Sequence, residues 1–207
     1  MELKTNNKEQ LILEVAEKLF IEKGFTGVKT MEIANEAGVN HSLLHYYYRT
    51  KENLFNRIFE QKAFQILGSF MITFDNDSSF FEKVKAGIEA HFELLNKNPK
   101  LPLFVLREIV TDKSRKEFVL DKIMPVGEEV LKKFDTAVRK AVRSGLIRPI
   151  KSTDLLLNIA SLNVFAFVAA QILFNMDADD DREKLRIFLE ERKKNNIELI
   201  INSLKPS

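Results

Sequence analysis

The 207-residue chain contains no cysteine, which excludes disulfide bonds and thiol chemistry. It has only seven glycines and five prolines, and its many leucine, isoleucine, lysine and glutamate residues favour helix throughout. No segment keeps the alternation of apolar and polar residues that predicts a strand. A catalytic triad and a cluster of metal ligands are also missing from the sequence. We therefore expect an all-α protein that is not an enzyme, and we predict no catalytic residue, cofactor or metal site.

An excess of charge of one sign is missing too. The net charge is +2, and residues 1–55 contain seven basic and eight acidic residues, so overall charge is a weak indication of nucleic-acid binding. The first ten residues, MELKTNNKEQ, are polar and lack the apolar core of a signal peptide. We therefore expect a cytoplasmic protein.

One uncharged run, from Leu155 to Met176, is long enough for a transmembrane helix. Amide and hydroxyl side chains interrupt it, and both of its flanks, Asp154 and Asp177, are acidic rather than basic. A helix that is apolar on all sides is instead expected inside a protein assembly. We predict no membrane partner.

The segment from Thr30 to Lys51 has the spacing of a helix-turn-helix. Gly38 falls where the chain must turn sharply, and glycine accepts a positive φ without steric cost. Ala34 provides a small residue where the helices cross, and Leu44 provides the apolar anchor of the second helix. Asn40 is a good N-cap for that second helix.

The surroundings of this segment agree with a DNA-binding role. An amphipathic helix from about Lys8 to Lys23 precedes it, and Gly24 is expected to end that helix. No acidic residue occurs between Glu36 and Glu52, so positive charge would be concentrated on one small face.

Three stretches together, ILEVAEKLFIEKGF, MEIANEAGV and HYYYRTKENLF, resemble the DNA-binding region of the TetR family of bacterial transcription regulators. The resemblance covers about the first quarter of the chain, and the remainder matches only in length and helical character. It implies an N-terminal three-helix helix-turn-helix domain, joined by a long helix to a larger helical domain for ligand binding and dimerisation. We place these domains at residues 1–52 and 53–207.

The predicted DNA-binding residues lie at the ends and on the exposed side of the helix-turn-helix. They are Thr30, Asn40, His41, Ser42, Leu43, His45, Tyr47 and Lys51. Thr30 is expected to cap the second helix and to face a phosphate. His41 and Ser42 can bond base edges, and Leu43 can touch a thymine methyl group. The resemblance implies phosphate contacts for Tyr47 and Lys51.

Two positions depart from the usual pattern of the family. The family commonly has tyrosine where His45 stands, and often proline where Arg49 stands. A phosphate contact by His45 would depend on pH. His41 and His45 could also share a metal ion, but no third ligand accompanies them.

A ligand pocket is expected after the helix-turn-helix, because fifteen of the seventeen phenylalanines follow Thr50. Phenylalanines can enclose an apolar pocket in which a few polar groups orient a ligand, although ordinary core packing is the alternative for each of them. The candidates are Phe70, His91, Phe92, Phe104, Arg107, Phe134, Asn163, Phe167 and Gln171. The expected effector is a small apolar or amphipathic molecule.

A dimer interface is expected on the last two helices, which would form a four-helix contact by two-fold symmetry. The candidate residues are Leu156, Ile159, Asn163, Phe188, Ile197, Ile200, Ile201 and Leu204. We thus expect a homodimeric repressor that binds a palindromic operator in double-stranded DNA. It would be released when an effector tilts the long helix that runs from Lys51 to about Phe74. The alternatives are a protein-binding adaptor that keeps the helix-turn-helix for folding alone, and an enzyme on a helical scaffold.

Overall fold

A computed structural model describes residues 2–71, 78–175 and 178–206, apart from the side chains of residues 2–7, 70, 71, 129 and 130. These residues form ten α-helices, one π-helical turn and no strand, which confirms the predicted all-α class. The elements are α1 (Glu2–Gly27), α2 (Thr30–Glu36), α3 (His41–Tyr48), α4 (Lys51–Met71), α5 (Phe80–Lys97), α6 (Leu101–Thr111), α7 (Lys113–Phe118), the π turn (Val119–Ile123), α8 (Met124–Arg143), α9 (Ser152–Leu173) and α10 (Asp179–Leu204).

The chain divides into two compact units. The N-terminal unit consists of Met1–Phe64 and Leu103–Val119, and the C-terminal unit consists of Gln65–Pro102 and Leu120–Ser207. The first two thirds of α4, all but the first two residues of α6 and the whole of α7 thus fold with α1–α3. The compact units therefore differ in extent from residues 1–52 and 53–207, and that division into functional domains stays a prediction.

The core of the N-terminal unit is built on one face of α1. Ile12, Leu19 and Phe20 on this face are buried, as the three- and four-residue spacing of apolar side chains predicts. The rings of Phe20 and Phe25 each meet the ring of Phe55 edge-on, with centroids 5.2 and 5.1 Å apart. These aromatic contacts attach α1 to the first turns of α4.

The end of α1 is shaped by Gly24. Its φ of +72° interrupts the helix, as expected for a glycine at this position. A Cβ atom at Gly24 would also lie only 2.7 Å from the guanidinium group of Arg107 in α6. A side chain here is therefore opposed both by the backbone conformation and by a close neighbour.

The C-terminal unit packs α5, α8, α9 and α10 around two apolar clusters. Buried residues recur every three or four positions along one side of α9, which packs against its neighbours. By length and composition alone, α9 could cross a membrane, with a mean hydropathy of 1.9, but core helices pass the same test. Only a third of its apolar stretch is buried within the chain, so a second apolar side faces outward.

The sequence predicts a helix from about Ser114 to Met124 that Pro125 stops or kinks, but α7 ends at Phe118 and the π turn follows. Pro125 instead lies in the first turn of α8. A proline is tolerated there because the first amides of a helix have no partner within it. Ser79 caps α5, since its hydroxyl accepts a hydrogen bond from the Glu82 amide (3.3 Å).

Candidate nucleic-acid interface and ligand cavity

The turn between α2 and α3 has the geometry of a helix-turn-helix. Gly38 adopts a φ of +61°, and the next amide, that of Val39, donates to the carbonyl of Ala34 (3.0 Å). Ile33, Ala34 and Leu44 are at most 1% exposed, so the two helices close on a dry apolar contact. Local turn chemistry and one apolar anchor together set the direction of α3.

The beginning of α3 is capped as predicted. Oδ1 of Asn40 accepts a hydrogen bond from the Leu43 amide (2.7 Å), which satisfies one free amide of the first turn. Thr30 is not the cap of α2, because Lys29 holds the N-cap position and Thr30 is the first helical residue. The Thr30 hydroxyl instead lies 2.9 Å from Nε2 of His41. Thr30 therefore links α2 to α3 at the surface where DNA contact is predicted.

The exposed side of α3, which we name the reading face, presents polar and aromatic groups. Ser42, His45 and Tyr46 are exposed, while His41 and Tyr47 are partly buried. The rings of His41 and His45 meet nearly at right angles, with centroids 4.4 Å apart. Nδ1 of His45 donates to the Arg49 carbonyl (2.9 Å) and leaves Nε2 on the outer side of that ring.

Two exposed residues at this face were missed by the sequence reasoning. Tyr46 is 73% exposed, and its position four residues after Ser42 was the available signal. Arg49 is exposed at the end of α3 with a φ of +63°, a backbone that proline cannot adopt. Tyr48, by contrast, is buried and donates to the Glu9 carbonyl (3.2 Å), and burial raises the pKa of its phenol.

Lys51, the predicted phosphate ligand at the start of α4, lies against an aromatic ring. Its Nζ is 4.2 Å from the centroid of Phe25, which is a cation–π contact. Partial burial lowers the pKa of Lys51, and Arg115 acts in the same direction. The ammonium group is thus held at the end of α4 beside the helix-turn-helix.

The residues predicted to line a ligand pocket are divided between the two compact units. Phe104 belongs to the N-terminal unit, where the centroid of its ring lies 5.7 Å from the centroid of the Phe55 ring. Arg107 lies in the same unit and pairs with Glu108 (3.5 Å). The side chain of Phe70 lies outside the described part of the chain. Helical spacing alone did not reveal that α6 folds with α1–α3.

The remaining predicted pocket residues are core residues of the C-terminal unit. The ring centroids of Phe92 and Phe167 are 4.9 Å apart, and Phe134 belongs to a separate apolar cluster. Nε2 of Gln171 donates to the carbonyl of Pro99 (2.9 Å). This side chain therefore connects the chain after α5 to α9.

His91 and Asn163 form a buried polar network instead of lining a pocket. Nδ2 of Asn163 donates to the Ile88 carbonyl (3.0 Å) and lies 3.3 Å from Nδ1 of His91. Oδ1 of Asn163 accepts from Asn196 (3.1 Å), so α5, α9 and α10 are joined. Burial lowers the pKa of His91 to about 4, so this imidazole is neutral at pH 7.

A different cavity of about 340 Å³ lies within the C-terminal unit between the end of α4, the start of α8 and the start of α9. Its lining is apolar except for one hydroxyl-bearing side chain. The lining residues are Leu67, Ile123, Met124, Gly127, Leu131, Thr153, Leu156, Leu157 and Ala160. Sequence reasoning missed this cavity because aliphatic residues carry no chemical signal that separates a cavity wall from a core.

Half of the residues predicted for a dimer interface are buried within the single chain. Ile159, Asn163, Ile200 and Leu204 are at most 2% exposed and pack inside the C-terminal unit, so they cannot form the outer contact. The other four, Leu156, Phe188, Ile197 and Ile201, are partly buried. Since α9 is apolar on both sides, its sequence did not indicate which side faces inward.

The outward side of α9 and α10 is apolar and exposed. Leu157, Phe165 and Ile172 of α9 are 66–75% exposed, and Leu199 of α10 is 58% exposed. A groove of about 430 Å³ runs between the two helices and includes Phe165 and Phe188. We name this outward apolar side of α9 and α10 the outer face.

A metal site in the part of the chain that the structure describes would require several ligands around one ion. No group of three or more histidine, aspartate or glutamate side chains there is placed to hold a metal ion. His41 and His45 remain a pair.

Comparison with known proteins agrees with this geometry. Residues 12–58 match the family model for bacterial regulatory proteins of the tetR family. A TetR family transcription regulator from Marinobacter aquaeolei VT8 has a TM-score of 0.73 with 17% identity, and each chain is covered to 100%. The TetR family transcriptional regulator PfmR from Thermus thermophilus has a TM-score of 0.68 with 19% identity, over 94% of this chain and 99% of that one.

A further similarity is to the nucleoid occlusion factor SlmA of Vibrio cholerae, which is 21% identical over 179 residues. The matched region covers 86% of this chain and 84% of SlmA. The chain thus has the fold of TetR family transcription regulators. Its residues 12–58, which contain the helix-turn-helix, carry the sequence pattern of that family.

Proposed function

We propose that the protein is a homodimeric, cytoplasmic, non-enzymatic transcription regulator that binds double-stranded DNA through α3 and responds to a small apolar effector. The observation that carries this proposal is the coincidence of two independent findings. The residues that match the tetR family model, 12–58, are those that fold into a helix-turn-helix whose α3 exposes polar groups without an acidic side chain. Such a face suits the major groove of DNA.

The proposed DNA contacts of α3 and of the start of α4 divide into two kinds. Ser42 and Tyr46 are exposed on one side of the helix and would meet base edges, together with His41 at its start. Tyr47 and Lys51 would contact phosphate and position the helix without reading sequence. His41 has less freedom than the sequence suggested, because Thr30 holds its Nε2.

The proposed dimer uses the outer face rather than the predicted set of residues. Isolated apolar residues are normal on a surface, but a row of large exposed apolar residues along α9, with Leu199 on α10, is typical of an interface. Two copies related by a two-fold axis would bury this row as a four-helix contact. Two α3 helices could then read half-sites about 34 Å apart, or a multiple of that distance.

The proposed effector site is the aliphatic cavity of the C-terminal unit. A volume of about 340 Å³ accommodates a small ligand, and the walls present almost no polar surface to it. A charged or strongly polar ligand would lose its hydration there without gaining partners. The effector class is therefore an uncharged, largely aliphatic molecule, and it must bind the DNA-free conformation more tightly to release DNA.

The proposal is tested by selecting bound duplexes from a random DNA library with the purified protein at near-physiological salt. Recovery of an inverted repeat is the expected result. Recovery of no sequence by a protein that sediments as a dimer would refute DNA reading without an effector and would favour the adaptor alternative.

The contact assignments are tested on the selected duplex. Lys51→Ala should weaken binding to selected and unrelated duplexes alike and reduce the salt dependence, by about one unit of slope per phosphate contact. Lys97→Ala, which removes the same charge from an exposed position at the end of α5, is the matched control and should change neither. An unchanged salt slope for Lys51→Ala would contradict the phosphate assignment.

A further inference from the structure

We propose that Arg115 of α7 is a positioning residue for DNA binding, because it neutralises Glu52 beside the phosphate-binding Lys51. This inference rests on the proposed DNA-binding function and adds to it the part played by α7. It predicts that DNA affinity depends on the docking of α7 against α4.

The Arg115 side chain is held in place from several directions. It is 1% exposed and lies 63 residues from Glu52 in the sequence. Nη1 of Arg115 pairs with Oε1 of Glu52, and Nη2 lies 3.3 Å from Oε2, so the carboxylate is held by both ends of the guanidinium group. Nη1 also donates to Oδ1 of Asn56 (3.1 Å).

Aromatic rings and a second carboxylate complete the site. The guanidinium carbon lies 4.0 Å from the ring centroid of Phe55 and 4.3 Å from that of Phe25. Nε lies 3.8 Å from Oε2 of Glu108, whose Oε1 accepts from the amide of Phe25 (3.3 Å). A side chain this enclosed is set by tertiary packing, unlike a mobile surface ion pair.

The position of Glu52 makes its charge matter for DNA. It is the first acidic residue after Glu36 and follows Lys51 directly, and its side chain is 44% exposed. An unpaired carboxylate here would repel the phosphates that Lys51 is proposed to contact. Because Arg115 pairs with it, the acid-free character of the reading face extends past the start of α4.

The same ring also connects Arg115 to Lys51. Both cations lie over Phe25, with Lys51 Nζ 4.2 Å from its centroid. Withdrawal of α7 would therefore unpair Glu52 and remove one of the two cations on this ring. Both changes would act at the proposed phosphate contact, and any event that undocks α7 would lower DNA affinity without touching α3.

The test is a double-mutant cycle on the selected duplex. Arg115→Met should weaken binding by roughly threefold to tenfold per subunit, the range expected for one added negative charge near a phosphate. Glu52→Gln should leave affinity within about twofold of the wild type or slightly tighter, because its carboxylate is already neutralised. The pair Glu52→Gln with Arg115→Met should recover most of the lost affinity.

Rescue separates the electrostatic role from a merely structural one. If Arg115 only supported the fold, the double variant would bind as weakly as Arg115→Met, and the proposal would be overturned. Arg115→Lys, which keeps the charge, should bind nearly as tightly as the wild type.

If Arg115→Met does not fold, the same cycle is repeated in a protein that carries a second substitution. Removing Arg115 takes away one of the two cations beside the buried Glu108 and leaves only Arg107, which destabilises the unit. If thermal unfolding shows that Arg115→Met is unfolded, the cycle is run with Glu108→Gln in all four proteins. Rescue by Glu52→Gln is then again expected, and its absence again overturns the proposal.

Failure of this inference is distinguishable from failure of the proposed function. A wild-type protein that selects no duplex contradicts DNA reading itself. A wild-type protein that selects an inverted repeat, with no rescue in the cycle, leaves DNA reading intact and refutes only the role of Arg115.

Discussion

Mild acid should destabilise the C-terminal unit through His91. This imidazole is 2% exposed between α5 and α9, and burial lowers its pKa from 6.5 to about 4. Between these pH values the unfolded chain binds a proton that the folded chain excludes, so stability rises with pH. The contribution is complete above about pH 6.5 and is lost progressively as the pH falls towards 4.

The magnitude follows from the same two pKa values. Between pH 7 and pH 5 the proton linkage of one such histidine lowers the free energy of unfolding by about 2 kcal/mol, and by about 3 kcal/mol once the pH is below 4. The assay is urea denaturation at pH 7, 6 and 5 with fixed protein concentration, because a dimer's stability depends on concentration.

The matched control is His91→Asn, which keeps an acceptor near Asn163 and removes the titrating ring. The remaining histidines, His41 and His45, are present in both proteins, so their effect cancels in the comparison. The wild type should lose about 2 kcal/mol more than the variant between pH 7 and pH 5. Equal losses in the two proteins would refute the buried, neutral state of His91.

Variants at three further sites, the cap of α3, the outer face and the cavity, are each tested separately. Asn40→Ala should lower the free energy of unfolding by about 1 kcal/mol and weaken DNA binding, because the first turn of α3 loses its cap; Asn40→Asp, which keeps an acceptor, should lose less in stability. Phe165→Glu should convert the dimer to monomer in sedimentation, whereas the same change at the exposed Lys97 should not. Gly127→Ala should raise stability by up to about 1 kcal/mol, since its Cβ would meet Leu67 at an ordinary 3.5 Å, while Gly127→Leu should also block binding of an aliphatic probe to the cavity. A monomeric Lys97→Glu protein, or unchanged probe binding in Gly127→Leu, would contradict the assignments.

The helix-turn-helix could be predicted from the sequence because its determinants are local. Gly38 and Asn40 act on backbone groups within a few residues. Leu44 and Ala34 are buried on the two sides of the same short turn. Each of these choices is decided by neighbours in the sequence. The outcome for Thr30 shows the limit even here, since its hydroxyl bonds to His41 rather than capping its own helix.

The outer face and the ligand cavity could not be predicted from the sequence. Helix α9 is apolar on all sides, so its pattern does not distinguish Ile159, which is buried, from Phe165, which is exposed. A hydrophobic stripe identifies an inward face only when the opposite face is polar. The cavity is equally hidden in the sequence, because its lining residues Leu67 and Leu156 differ from core leucines only in the empty space beside them.

The sequence by itself determined the helical class, the helix-turn-helix, the cap of α3 and the acid-free reading face, all of which depend on neighbouring residues. Tertiary structure alone decided that α7 and most of α6 fold with the helix-turn-helix and that Arg115 meets Glu52 across 63 positions. It also decided which side of α9 is left outside. These outcomes depend on how whole helices pack, because the apolar pattern of a helix shows which face is buried but not which distant segment packs against it.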